Sequence, residues 1–132
     1  MTSPRIIAAS CVAMLATFAV AGCSTKESGT PDSGKAAGAQ VTVNATDSEC
    51  ALSASEGGIG STTFVVTNNG SKVTELYVFD KDDRVLGEVE NISPGLQRQL
   101  AVQFSEPGPY RLACKPGMVG DGISADFTVT GT

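Results

Sequence analysis

The stretch "YRLACKPGMVGDGISADFTVTG", Tyr110 to Gly131, reads as a strand, a glycine-rich loop and a closing strand. Tyr110–Cys114 and Ser124–Gly131 mix apolar and polar residues at short spacing. Pro116, Gly117, Gly120 and Gly122 break the chain between them. Cys114 and Met118 stand four residues apart here, in a chain with no histidine. A thiolate and a thioether are soft donors that select copper, above all Cu(I). Alternatively, Cys114 is half of a disulfide and Met118 is apolar filler.

Upstream, short segments of the same kind follow one another: "QVTVNAT" (40–46), "TTFVVTN" (62–68), "VTELYVFD" (73–80), "VLGEVENI" (85–92) and "LQRQLAVQF" (96–104). Turn residues separate them, as "NNGS" (68–71), "KDDR" (81–84), "SPG" (93–95) and "EPGP" (106–109). No segment has the period of an amphipathic helix, although Ala51–Ser55 suits one short helical turn. The pattern predicts an all-β, antiparallel Greek-key sandwich of about seven or eight strands.

The first residues belong to a different category. Met1 to Arg5 form a short charged start, and Ile6 to Gly22 are almost wholly apolar or small, the layout of a secretory leader. The leader closes on "VAGC", which resembles a bacterial lipobox with Cys23 as the lipidated residue; the alternative is an ordinary leader with a chance cysteine. Residues 23–39 are rich in Ser, Gly, Thr, Ala and Lys without periodicity and read as a flexible tether. The organisation is then leader 1–22, tether 23–39 and folded domain 40–132. The expected location is the cell envelope, exported and lipid-anchored.

Nine basic residues against 14 acidic ones give a net charge of −5, and loss of Arg5 with the leader makes the chain more acidic still. Nucleic acid is not an expected partner, because phosphate neutralisation needs a basic patch. Metal cations and the membrane are. Without histidine no Ser/His/Asp or Cys/His catalytic set exists. Ferroxidase-like oxidation through a bound metal is the one enzymatic reading left, and no residue demands it.

The quoted stretches, taken together with "ATDSEC" (45–50) and "GEVENISPGL" (87–96), resemble the EfeO-type cupredoxin-like domain, a bacterial iron-uptake component. The resemblance covers most of residues 40–131. Cupredoxins place a cysteine at the end of the penultimate strand, soft or imidazole ligands in the next loop, and a first ligand shortly after an Asn-x-Gly turn; Glu75 holds that last position here. The resemblance implies a metal site of Cys50, Glu75 and Cys114, with Met118 as a weak further donor. It also implies a carboxylate-rich second cation site, for which Glu88, Glu90 and Asp121 are candidates. Glu88 and Glu90 lie two apart on one strand and so share a face. Tyr77 and Phe79 share the face of Glu75 and suit packing. The metal is copper or iron, and the partners are iron-uptake permease or peroxidase components. The chain departs from blue-copper members in lacking the two histidines of their site, and the expectation is a stand-alone cupredoxin-like lipoprotein without the imelysin-like helical domain.

The competing reading takes Cys50 and Cys114 as a disulfide. Two cysteines left in an exported domain commonly pair. The product would be a metal-free, stapled β-sandwich lipoprotein acting as an interaction module.

Overall fold

The computed structural model describes residues 38–131. The leader, Cys23 and nearly all of the expected tether lie outside the described residues. Regular structure begins one residue before the expected domain start, with β1 at Ala39–Ala45. The other strands are β2 (Cys50–Leu52), β3 (Glu56–Gly58), β4 (Gly60–Asn68), β5 (Thr74–Phe79), β6 (Val85–Ile92), β7 (Gln97–Phe104), β8 (Gly108–Cys114) and β9 (Ile123–Thr130). Pro116–Met118 forms a single 3-10 turn.

Two sheets make the sandwich, ordered β2-β1-β4-β7 and β3-β9-β8-β5-β6. Nine strands form where seven or eight were expected, and the two that match no segment read from the sequence are the three-residue β2 and β3. The helical turn expected over Ala51–Ser55 is not formed; Ala51 and Leu52 pair with Asn44 and Val43 of β1 instead. Pairing is not wholly antiparallel, since β1 runs parallel to β4 and β3 parallel to β9.

Alternation builds the core. Thr62, Phe64, Val66 and Asn68 of β4 point inward, as do Leu76 and Val78 of β5 and Leu112 and Cys114 of β8. Phe64, Phe104 and Phe127 meet at centroid separations of 5.4 to 6.3 Å and fill the centre. The buried Asn68 fixes one pole of the sandwich. Its Nδ2 donates to the carbonyls of Lys72 and Ile92, both at 2.7 Å, and its Oδ1 accepts from Gly70 N–H at 2.9 Å. One side chain thus ties the β4–β5 turn to the end of β6.

The outer faces differ in chemistry. On the four-stranded sheet, Thr42, Asn44, Ser61, Thr63, Thr67, Gln97, Gln99 and Gln103 present uncharged polar groups. On the five-stranded sheet the outward positions of β5, β6 and β8 hold Glu75, Tyr77, Phe79, Glu88, Glu90 and Arg111.

Cys50 and Cys114 form a disulfide, with Cα atoms 5.6 Å apart and a sequence separation of 64. It joins the start of β2 in one sheet to the end of β8 in the other. Closing a loop of that length restricts the unfolded chain by an amount worth about 4 kcal/mol. The Cys50→Ser/Cys114→Ser double variant should lose stability of that order in urea denaturation, with a steeper slope because its unfolded chain is no longer cross-linked and exposes more surface. A midpoint equal to that of the oxidised wild type would show that the cross-link contributes nothing.

Candidate functional site

The strand period decides which of the expected site residues meet. Leu76 is the Cα partner of Cys114, and both side chains enter the core. Glu75 is one residue away on β5, so it faces the opposite side of the sheet. Its backbone carbonyl accepts from Lys115 N–H at 2.9 Å, which extends the β5–β8 ladder by one residue. The expected grouping of Cys50, Glu75, Cys114 and Met118 is therefore not assembled: both sulfurs are bonded to each other beneath the sheet, and the carboxylate lies above it.

Met118 is 41% exposed at the tip of the 3-10 turn, with a positive φ of 54°. The turn is anchored by Gly117 N–H, which donates to the Val73 carbonyl at 2.7 Å. Asp121 lies across β5 from the glutamates, in a depression with Phe79, Asp83, Arg111, Lys115 and Ser124. Asp80, Asp82 and Asp83 belong to the β5–β6 turn, as their spacing suggests. There Asp80 accepts from the backbone N–H of Asp82 and Arg84 at 2.8 and 3.0 Å.

The structure does bring Glu75, Glu88 and Glu90 to one face. Strand β6 pairs with β5, and Glu88 lies opposite Tyr77. The Tyr77 hydroxyl donates to Glu90 Oε1 at 3.4 Å. Burial, then the negative charges of Glu75, Glu88 and Glu90, push the Tyr77 phenol up to about 12, so it stays a proton donor at any ordinary pH. Glu75 is only 6% exposed. Among the described residues its carboxylate accepts no hydrogen bond, and its one ion-pair contact is Lys115 Nζ at 3.9 Å. Burial raises its pKa; Lys115 opposes the rise, and Glu90 and Glu88 add to it. The three carboxylates share the surface without closing into a ligand group: among the described residues no three His, Cys, Asp or Glu side chains are clustered tightly enough to hold a metal ion.

Lys115 is the residue that the sequence reading passed over. It follows Cys114, and an inward Cys114 requires an outward neighbour, which the β5–β8 register sets beside Glu75. Its ammonium lies 4.2 Å from the centre of the Tyr77 ring. Tyr77 stacks on Phe79, and Arg111 covers Phe79 at 4.1 Å while pairing with Asp83 at 2.9 Å. The strip runs from acidic on the β6 side of these rings to basic on the β8 side.

The sequence profile of the cupredoxin-like domain matches residues 10–129, and the chain belongs to that family. The fold is similar to dithionite-reduced auracyanin from Roseiflexus castenholzii, at 14% identity over 72% of this chain and 99% of that one, with a TM-score of 0.56. Auracyanin B is similar at 13% identity over 74% of this chain and 92% of its own, with a TM-score of 0.57. Auracyanin A, a "blue" copper protein from Chloroflexus aurantiacus, matches at 12% identity over 69% of this chain and 99% of its own, with a TM-score of 0.50. No curated protein matches the chain.

A cupredoxin fold implies copper, and the residues at the corresponding pole test the fit. There is no histidine, both cysteine sulfurs are consumed in the disulfide, and Met118 is the one soft side chain left in the loop. This oxidised donor set does not fit a copper ion.

The raised pKa of Glu75 has a consequence for stability. Its folded value exceeds its unfolded value, so its ionised form costs stability above the folded pKa. The cost fades as pH falls through that value and is gone below the unfolded one. Glu75→Gln should accordingly raise the melting temperature near neutral pH, and the gain should vanish under acid. A gain that stays constant down to pH 3 would show that burial of the charge is not its origin.

Proposed function

We propose that this chain is an exported, lipid-anchored cupredoxin-like cation-binding protein serving iron uptake, with Glu75, Glu88 and Glu90 as its cation-holding groups. One observation carries the reading: a buried carboxylate, without a hydrogen bond among the described residues, shares the face of two further carboxylates on the same strand pair. Ionised carboxylates that share one face repel one another, and the buried member, Glu75, gains most from an arriving cation. Oxygen donors of this kind suit hard ions such as Fe(III). The glutamate side chains are long enough to swing together around an ion that draws them in. The leader and lipobox support an envelope location, and the resemblance to the EfeO-type domain supports iron as cargo. The acidic surface would help collect cations and steer a basic patch on a permease or peroxidase partner.

The chain has two tyrosines and no tryptophan, so Tyr77 is a built-in sensitiser for a hard trivalent probe held by Glu75, Glu88 and Glu90. Terbium(III) added to the oxidised domain should give tyrosine-excited luminescence that Fe(III) quenches by competition. Glu88→Gln with Glu90→Gln should weaken terbium binding at least about ten-fold, the order expected for two lost charge–charge contacts near a protein surface. Unaltered binding in that double variant would sink the assignment. Cys23→Ser should move the exported protein from the membrane fraction to the soluble fraction; retention on the membrane would remove the lipid anchor from the reading.

The disulfide favours a second reading, a metal-free stapled module that acts through contacts with another envelope protein. A native mass spectrum of the exported protein separates the two. A mass about two units below the reduced chain, with no adduct and no terbium response, belongs to the stapled module. A reduced chain carrying copper would return the soft-donor site of Cys50, Cys114 and Met118.

A further inference from the structure

Lys115 is held more closely than a surface lysine needs to be. Its backbone N–H bonds the Glu75 carbonyl at 2.9 Å. Its ammonium is lodged between the Tyr77 ring at 4.2 Å and Glu75 Oε1 at 3.9 Å. Its side chain is only 20% exposed. Its stem runs against Gly122, where a Cβ would come within 2.6 Å of Lys115 Cγ and 2.7 Å of the Cys114 carbonyl oxygen. Gly122 also has a φ of +79°, so that position is glycine's on two counts. The loop after β8 thus leaves a channel for one lysine stem and aims its charge at the buried carboxylate.

We infer that Lys115 is the resident cation of the Glu75 site, a tethered ammonium that holds the carboxylate while no metal is bound and that an arriving metal ion must displace. The inference rests on the reading of Glu75, Glu88 and Glu90 as cation-holding groups. Breaking the lysine contact costs the same whatever ion arrives, whereas attraction to three carboxylates grows with the ion's charge. The tethered lysine therefore keeps weakly charged ions off the site and leaves it to multiply charged ones. It also explains why the three glutamates are not gathered: Lys115 draws Glu75 toward β8, while Glu88 and Glu90 stand on the β6 side. The ammonium cannot leave the protein, so it acts at high effective concentration on every approach.

The test compares terbium(III) and calcium(II) affinities of the wild type with those of Lys115→Met, Lys115→Gln and Lys115→Arg, all oxidised. Affinities come from the midpoint of tyrosine-sensitised luminescence for terbium and from competition with terbium for calcium. Amplitudes are not compared, since Lys115 touches the sensitising ring. Met and Gln should tighten terbium and calcium by the same factor, about ten-fold or more, which lifts calcium from negligible to measurable occupancy, and Arg should stay within about two-fold of the wild type. Terbium affinities of Met and Gln equal to wild type, with binding intact, overturn the role of Lys115 and leave the carboxylate site standing. No terbium binding in any of the four proteins removes the carboxylate site, and the role of Lys115 with it. The Gln variant, which keeps a polar head and a long stem, carries the comparison if Met does not fold.

Discussion

The cross-link between Cys50 and Cys114 is the constraint around which the rest of this domain is arranged. It fastens the short β2 of one sheet to the last residue of β8 in the other, at the pole where Asn68 ties the β4–β5 turn to β6. Cupredoxin architecture directs attention to that pole for a metal. Here the two sulfurs satisfy each other, and the surrounding loops are organised by backbone and asparagine hydrogen bonds. The pole becomes a fixed end cap. Polar chemistry has moved one residue along β5 and β8, to the outward face of the five-stranded sheet.

That shift explains what could be read from sequence and what could not. The sandwich was legible because Val, Thr and Phe at period two and turn residues such as Asn69-Gly70 and Ser93-Pro94-Gly95 set strands and turns by local chemistry. Strands β2 and β3 were not, since three residues carry too little pattern and are held by their neighbours. That Glu88 and Glu90 share a face was legible from their spacing; that Glu75 stands beside them in place of Asp121 depends on the pairing of β5 with β6. The grouping of Glu75 with Cys114 was not open to spacing, because it depends on register. A pairing of Leu76 with Cys114 sends thiol and carboxylate to opposite faces, and a slip of one residue would have united them. Lys115 was hidden for the same reason: in sequence it is the residue after a cysteine, and only the β8–β5 register makes it the neighbour of a buried glutamate.

The resulting surface is a strip ordered by charge. Carboxylates stand on the β6 side, two aromatic rings form the ridge, and an ammonium and a guanidinium cover those rings from the β8 side. The rings give the cations a seat that water alone would not supply, and Lys115 in turn offsets part of the desolvation cost that burial imposes on Glu75. Each component is unremarkable singly. Their shared face makes the difference between a solvated acidic patch and a site whose charge is held partly in check.

The two outer faces of the sandwich also differ in a way that acts at long range. One is a sheet of threonine, serine, asparagine and glutamine hydroxyls and amides; the other carries a majority of negative charges. A plate built this way does not tumble freely near a negatively charged surface. The field turns its acidic face outward and leaves the neutral face inward, over about a Debye length. Orientation at such a surface is then a property of the fold itself, set by which strands carry the charge.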